Sequence, residues 1–182
     1  MKMILASQSP RRKEILEEMG LSFDVVPSNS KEYFDPCLPL EKAIQEVAYQ
    51  KAHDVWLRYP DHCVLGADTI VCFQGKIYGK PKDRQEAFSF LKTFSDQYQE
   101  VMTGICLLYK DQKLCKTDIT YVKFRKLSDQ EIHAYLDTHN ALDKAGAYGI
   151  QDSDFVEEIQ GSLTNVVGLG KESVKELLEK LK

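Results

Sequence analysis

The feature that most constrains the fold is the direct passage from a short apolar run into a capped helix near the N-terminus. Residues 3–6 (MILA) are apolar enough for a buried strand, and the polar segment Ser7-Gln8-Ser9 follows at once. Ser9 is a favourable helix N-cap, and Pro10 suits the first helical turn. A strand that runs straight into a helix favours an α/β fold, in which helices pack on a sheet.

Two arginines, Arg11 and Arg12, follow this cap at the point where backbone N–H groups still lack helical partners. Free N–H donors, the helix dipole and guanidinium groups all attract an anion. The segment therefore indicates a phosphate site, with the hydroxyls of Ser7 and Ser9 as further donors. The alternative is an ordinary capped helix with two solvated arginines.

Apolar periodicity divides the rest of the chain into alternating strands and helices. It predicts strands at residues 21–26, 64–73, 76–78, 101–109 and 114–124, and helices at 40–56, 83–94 and 172–181. Ser128 and Glu131 form a capping-box signature for one more helix. The region from Gly146 to Gly170 is punctuated by glycines. This order of elements predicts an α/β fold with helices on a mixed sheet.

Length and charge limit the classes of protein to consider. A chain of 182 residues is long enough to bury most of its apolar surface, and we predict a single domain over residues 1–182. The formal net charge of −4 gives no general attraction to nucleic acid. No apolar stretch is long enough for a membrane span and no signal peptide precedes the first strand, so we predict a cytoplasmic protein.

The cysteines and histidines give no metal-binding signature. No two cysteines form a CxxC pair, and several lie in predicted strands, so we interpret all of them as reduced and structural. They are Cys37, Cys63, Cys72, Cys106 and Cys115. The histidines never occur at HxxxH or HExxH spacing, which argues against a zinc site.

Asp68 interrupts the otherwise apolar strand at residues 64–73. An aspartate is disfavoured in a strand and costly in a core unless it is paired or binds a metal. The small neighbours Gly66 and Ala67 leave room for a ligand. The alternative is an aspartate at an exposed strand end.

Two later segments also combine small residues with cations. Lys80 follows Gly79 in a tight turn, and Lys144 and Gln151 lie in the glycine-rich segment 143–151. Glycines let the backbone approach a ligand closely. The alternative for Lys80 is a solvated lysine in a turn. The alternative for segment 143–151 is an irregular loop without a functional role.

Together these segments resemble the Maf family of nucleoside triphosphate pyrophosphatases, also called septum formation inhibitor Maf proteins. The resemblance runs nearly end to end, through SQSPRR at 7–12, Glu32, QKA at 50–52, GADT at 66–69, YGKP at 78–81, DKAGAYGIQ at 143–151 and NVVGL at 165–169. It implies a mixed twisted sheet flanked by helices, with two lobes around a central cleft as in ITPase-like proteins. It also implies a homodimer.

The resemblance further implies an enzyme that cleaves a nucleoside triphosphate between its α- and β-phosphates and releases pyrophosphate. The family's catalytic positions map onto Asp68, Glu32, Arg12, Lys51 and Lys80, and its substrate-binding positions onto Ser7, Ser9, Arg11, Thr69, Lys144 and Gln151. Glu32 and Asp68 are oxygen ligands suited to Mg²⁺ or Mn²⁺. Asp68 is also the family's proton acceptor for the attacking water.

Arg11, Thr69 and Gln151 match the subgroup that resembles dTTP/UTP pyrophosphatases, which favours a normal or modified pyrimidine nucleotide as the substrate. One alternative is a regulator of cell division that binds nucleotides without turnover. Another is a house-cleaning pyrophosphatase for noncanonical purine nucleotides such as ITP. Nucleic-acid binding is disfavoured because the chain is acidic and lacks interleaved aromatic and basic residues.

Overall fold

The computed structural model describes residues 2–181, and it confirms the predicted α/β class. The strands are β1 (Met3–Leu5), β2 (Phe23–Val25), β3 (Cys63–Phe73), β4 (Lys76–Tyr78), β5 (Tyr98–Tyr109), β6 (Gln112–Phe124) and β7 (Val156–Gln160). The helices are α1 (Pro10–Glu18), α2 (Leu40–Trp56), α3 (Arg84–Phe94), α4 (Asp129–Thr138), α5 (Leu163–Val167) and α6 (Lys171–Glu179). The strands form a mixed seven-stranded sheet in the order β2-β1-β3-β5-β6-β7, and β4 pairs with β3.

The local signals at helix starts are confirmed. The Ser9 side chain caps α1 by accepting a hydrogen bond from the Arg12 backbone N–H, and Pro10 is the first helical residue. At α4, Ser128 and Glu131 form the predicted capping box. These caps satisfy N–H groups that a helix leaves without partners, so short sequence motifs were enough to locate both starts.

The described chain divides into two compact units. The first comprises residues 2–69, 103–118 and 167–181, and the second comprises residues 70–102 and 119–166. In the first unit, β1 pairs in parallel with β2 and β3. Met3 and Leu5 pack in one apolar cluster with α1, while Ile4 packs on the opposite face with Ala48 of α2. Both faces of this part of the sheet are therefore covered by helices.

The second unit has an aromatic core. Phe94 and Phe124 are fully buried there, and their rings lie edge to face with centroids 5.9 Å apart. The Tyr148 ring packs against both phenylalanine rings. This contact anchors segment 143–151, which contains Gln151, to the aromatic core. In the same unit β3 and β4 pair antiparallel and form a hairpin around Gly75.

Two elements in the glycine-punctuated region were not predicted. β7 lies at the end of the sheet and pairs antiparallel with β6. Its residues VEEIQ are mostly exposed, so pairing with β6 rather than apolar alternation makes it a strand. Helix α5 has only five residues, too few for helical periodicity to appear in the sequence.

The prediction that every cysteine is reduced is wrong for one pair. Cys106 and Cys115 form a disulfide between β5 and β6, with their Cα atoms 4.2 Å apart. The turn between these strands is only Lys110-Asp111, and Lys110 has the positive φ of 53° that such short turns need. This short turn places the two cysteines opposite each other, whereas Cys37, Cys63 and Cys72 are free thiols.

No helix among the described residues combines the length and the apolarity that a membrane span needs.

Candidate active site

The clearest charged group in the first unit is an ammonium between two carboxylates. Lys51 Nζ lies 2.5 Å from Asp68 Oδ1 and 2.7 Å from Glu32 Oε1. Lys51 and Asp68 are mostly buried, with 15% and 19% of their side chains exposed, while Glu32 is 56% exposed. The ammonium compensates the negative charge of the buried aspartate, and β3 tolerates a charged residue at this position for that reason. The group retains one net negative charge.

The close approach of α2 to β3 brings Lys51 to Asp68. Gly66 lies two residues before Asp68, so both positions face the same side of the strand. A Cβ at Gly66 would lie 2.7 Å from the Ala52 backbone nitrogen, closer than a Cβ comes to a non-bonded atom. Only glycine lets the helix backbone lie this near the strand, and the helix carries Lys51 over Asp68 as a result.

We therefore expect Gly66→Ala to damage both stability and the site. The added methyl group must push α2 away from β3, and such overpacking costs about 1–3 kcal/mol of unfolding free energy. Urea denaturation measures this loss, and Gly79→Ala is the matched control because nothing lies within 4 Å of a Cβ at that glycine. Equal stability of the Gly66→Ala variant and the wild-type protein would contradict this account of the helix position.

Arg12 is the second charged feature of the first unit, and it is buried. Its Nε donates to the Gly168 carbonyl at 2.9 Å, one terminal nitrogen donates to Ser7 Oγ at 3.1 Å, and the other donates to Thr69 Oγ1 at 3.0 Å. Within residues 2–181, three of its five N–H donors thus bind protein oxygens, which leaves two for an anion.

The electrostatics place Arg12 under the influence of the carboxylate pair. Burial lowers the pKa of Arg12, Asp68 raises it, the neighbouring Arg11 lowers it further, and Glu32 raises it. The guanidinium stays charged at neutral pH because an arginine side chain is not deprotonated in proteins. The first unit therefore combines a buried cation with two carboxylates and a lysine.

Thr69 has a position that the sequence did not predict. Its hydroxyl accepts from Arg12, lies 2.9 Å from Thr103 Oγ1, and donates to the Gly168 carbonyl at 3.4 Å. The hydroxyl thus has protein partners for its donor and acceptor sites. Its contact in this structure is with the arginine, while its role in reading a base stays a prediction.

Ser7, Ser9 and Arg11 surround the start of α1 as expected. Ser7 Oγ accepts from the Ser9 backbone N–H at 3.2 Å as well as from Arg12. Ser9 Oγ accepts from the Arg12 backbone N–H at 3.4 Å, and Arg11 is partly exposed on the first turn. The serine oxygens therefore shape the turn, and their hydroxyl hydrogens are the groups that an anion would meet.

The second unit holds the other three predicted residues. Lys80 is exposed and pairs with Asp143 at 3.2 Å, and Lys144 is largely buried and pairs with Asp152 at 2.8 Å. Gln151 is exposed. The Gly146 N–H donates to the Gly79 carbonyl at 3.1 Å, so the YGKP and DKAGAYGIQ segments lie side by side in this unit.

Two buried tyrosines hold the segment that carries Gln151. The Tyr148 hydroxyl lies 3.4 Å from Gln99 Nε2, which donates to it, and burial raises the pKa of Tyr148. The Tyr135 hydroxyl accepts from the Gly149 N–H at 3.3 Å, and burial raises the pKa of Tyr135 to about 12. Both tyrosines are neutral at physiological pH and act as hydrogen-bonding anchors.

Sequence reasoning missed several residues that contact the predicted ones within each unit. Thr103 is a polar residue in an apolar strand, which is a signal of the same kind as Asp68. Asp143 pairs with Lys80 in the second unit, although within segment 143–151 only Lys144 and Gln151 are predicted site residues. The Gly168 carbonyl could not have been found, because the sequence carries no mark of which backbone oxygen a distant arginine binds.

The donor set fits a magnesium-type ion that takes some of its ligands from the protein and the others from a substrate. Within residues 2–181 there is no cluster of three or more histidine, cysteine, aspartate or glutamate side chains that would form a complete protein cage. Glu32 and Asp68 supply two hard oxygen ligands near one point. Mg²⁺ commonly binds one or two carboxylates together with substrate phosphates, and these two carboxylates fit the protein's share of such a site.

Comparison with known proteins places the chain among close relatives. The family model described as Maf-like protein matches residues 2–181. A dTTP/UTP pyrophosphatase of Halalkalibacterium halodurans is 48% identical over 169 residues, which cover 92% of this chain and 89% of the relative. A dTTP/UTP pyrophosphatase of Caldicellulosiruptor saccharolyticus is 43% identical over 188 residues, which cover 99% of this chain and 94% of the relative.

Among solved structures, a nucleoside-triphosphatase / dITP/XTP pyrophosphatase from Mycobacterium abscessus is 12% identical, with a TM-score of 0.44 over 70% of this chain and 76% of that one. This similarity is too low to support any argument.

Proposed function

This chain belongs to the Maf family, and we propose that it hydrolyses dTTP and UTP to the nucleoside monophosphate and pyrophosphate. The observation that carries the proposal is the pairing of Asp68 and Glu32 through Lys51, with the buried Arg12 in the same unit. Two carboxylates with two cations suit hydrolysis of a phosphoanhydride, since the carboxylates can take a proton while the cations hold phosphate oxygens.

Asp68 accepts the proton of the water that attacks the α-phosphorus. The new P–O bond forms as the bond from the α-phosphorus to the bridging oxygen breaks, and pyrophosphate leaves with that oxygen. Lys51 and Arg12 stabilise the negative charge that develops on the phosphate oxygens. This step requires no covalent intermediate with the protein, so Ser7 and Ser9 act as hydrogen-bond donors to phosphate.

Glu32 and Asp68 would hold a divalent cation, Mg²⁺ or Mn²⁺. When bound, such a cation neutralises phosphate charge and polarises a P–O bond. Because Lys51 lies between the two carboxylates, the lysine keeps them close together before the substrate arrives. We expect activity to disappear with EDTA and to return on addition of excess Mn²⁺.

Lys80, Lys144 and Gln151 enter the proposal through their motifs. Lys80 and Lys144 bind phosphate, and Arg11, Thr69 and Gln151 set the preference for a pyrimidine. A uracil or thymine edge offers two carbonyl acceptors and one N–H donor, which a carboxamide can complement. We also propose that the protein is a single-domain homodimer in the cytoplasm. Light scattering tests its oligomeric state.

The proposal is tested by measuring pyrophosphate release from a panel of triphosphates with Mn²⁺. We expect dTTP and UTP, or modified pyrimidine forms such as 5-methyl-UTP, to exceed ITP and the normal purine triphosphates. Binding of dTTP without release of pyrophosphate would favour a nucleotide-binding regulator instead. A preference for ITP would favour the removal of noncanonical purines.

Gln151→Glu is expected to lower activity on dTTP and UTP by about tenfold to a hundredfold. The substitution replaces an amide donor with a charge that repels the base carbonyls, and an unsatisfied polar group typically costs about 1–3 kcal/mol. Kinetics on dTTP and GTP measure the effect, and Gln130→Glu, at an exposed position of α4 in the same unit, is the control for added charge. Equal losses on pyrimidine and purine substrates would show that Gln151 does not read the base.

A further inference from the structure

Glu32 lies in a segment that has neither helix nor strand. The chain from the end of β2 to the start of α2 is irregular, and the Glu32 side chain is more than half exposed. An exposed residue in such a segment loses conformational entropy when it is held in one place. Groups that hold the segment would therefore lower the entropy cost of its 2.7 Å contact with Lys51.

The side chain of Gln50 binds the residue next to Glu32. Its Oε1 accepts from the Tyr33 backbone N–H at 2.9 Å, and its Nε2 donates to the Tyr33 carbonyl at 3.0 Å. Two hydrogen bonds to one residue fix both the position and the orientation of the backbone there. Gln50 and Lys51 are neighbours in α2, and they bind the neighbouring residues Tyr33 and Glu32.

The same face of α2 binds the segment at two further points. Asp54, four residues after Gln50, accepts from the Asn29 backbone N–H at 2.9 Å. Arg58, four residues further and just beyond the helix, donates to the Pro27 carbonyl at 3.0 Å. Positions four apart lie on one face of a helix, so the segment is attached along a single row of side chains.

We propose that Gln50 is a positioning residue that holds Glu32 in place beside Lys51 and Asp68, with Asp54 as a second anchor. Gln50 acts through Glu32 and need not touch the substrate. The role rests on the proposed function, because it matters for turnover only if Glu32 acts in the reaction. Holding the carboxylate before the substrate binds removes an ordering cost from the catalytic cycle.

Gln50→Met tests the attachment directly. Methionine has nearly the same length and helix propensity but makes neither hydrogen bond. Hydrogen exchange of the Tyr33 amide, measured by NMR, should become roughly tenfold faster, because its only known acceptor within residues 2–181 is lost. Gln45→Met is the matched control, since Gln45 lies on the same helix and contacts Lys42 at 3.5 Å instead of the segment.

A double-mutant cycle tests whether Gln50 acts through Glu32. We expect Gln50→Met to lower kcat/KM for dTTP roughly tenfold in the wild-type background, as expected for two lost hydrogen bonds. In the Glu32→Gln background Gln50→Met should lower kcat/KM no further, because the carboxylate that Gln50 positions is absent. Gln45→Met should leave kcat/KM unchanged in both backgrounds.

Two results would overturn the proposal. Unchanged exchange at Tyr33 would show that Gln50 does not hold the segment, and additive losses in the cycle would show that its effect does not pass through Glu32. If the wild-type protein released no pyrophosphate from any triphosphate, the proposed function would fail. Exchange at Tyr33 would still decide whether Gln50 holds the segment.

Discussion

Asp68→Asn is expected to lower kcat on dTTP by about a hundredfold or more at saturating Mn²⁺. Asparagine is nearly isosteric with aspartate, but it cannot accept the proton of the attacking water and it offers no full charge to a cation. The fold should persist, because Lys51 keeps its contact with Glu32 and no charge is left unpaired. Circular dichroism and thermal unfolding check this.

Asp24→Asn is the matched control. Asp24 is exposed in β2 of the same unit, and the substitution removes the same charge from a position outside the proposed site. Its kcat should match that of the wild-type protein. An Asp68→Asn variant with kcat within about threefold of wild type would exclude Asp68 as the general base.

Arg12→Lys is expected to lower kcat/KM by about a hundredfold. The guanidinium binds Gly168, Ser7 and Thr69 at once, and two of its five N–H groups remain for a phosphate oxygen in the proposed reaction. A lysine keeps the charge but has no planar fork, so it cannot make these contacts together. Loss of one well-placed donor to a developing oxyanion typically costs a factor of a hundred or more.

Lys13→Ala is the control for this effect. Lys13 follows Arg12 on α1, but it is exposed and its pair with Glu17 at 3.6 Å is worth little. We expect its kcat/KM to stay within twofold of wild type. An Arg12→Lys variant as efficient as the wild-type protein would show that the phosphate site lies elsewhere.

The sequence predicted the elements whose signals are local. Ser9 and Pro10 marked the start of α1, and the apolar stripe of residues 40–56 gave the bounds of α2. Asp68 was identified because a charge in an apolar strand demands a partner. Each of these inferences depends on residues within a single helix or a single strand.

The partners across the fold could not be predicted. That Lys51 pairs with both Asp68 and Glu32 depends on how closely α2 packs on β3, which Gly66 permits. The attachment through Gln50 joins a helix to the backbone of an irregular segment, and backbone contacts leave no trace in residue type. Distances of this kind follow from packing rather than from local pattern.

The disulfide shows how a small error in a turn changes what a pattern implies. A four-residue loop at 110–113 was predicted, whereas β6 begins at Gln112 and the turn has two residues. Because register follows turn length, the shorter turn sets Cys106 opposite Cys115. β7 was missed for a related reason, since its pairing with β6 replaces the apolar alternation that marks most strands.

Hydrolysis of dTTP in water enriched in ¹⁸O tests the central claim most directly. Attack at the α-phosphorus puts the oxygen of water into the monophosphate, so mass spectrometry should find one ¹⁸O in dTMP and none in pyrophosphate. The Asp68→Asn variant should form this labelled product at least about a hundredfold more slowly. Label in pyrophosphate, or release of labelled orthophosphate, would place the attack at another phosphorus and contradict the account.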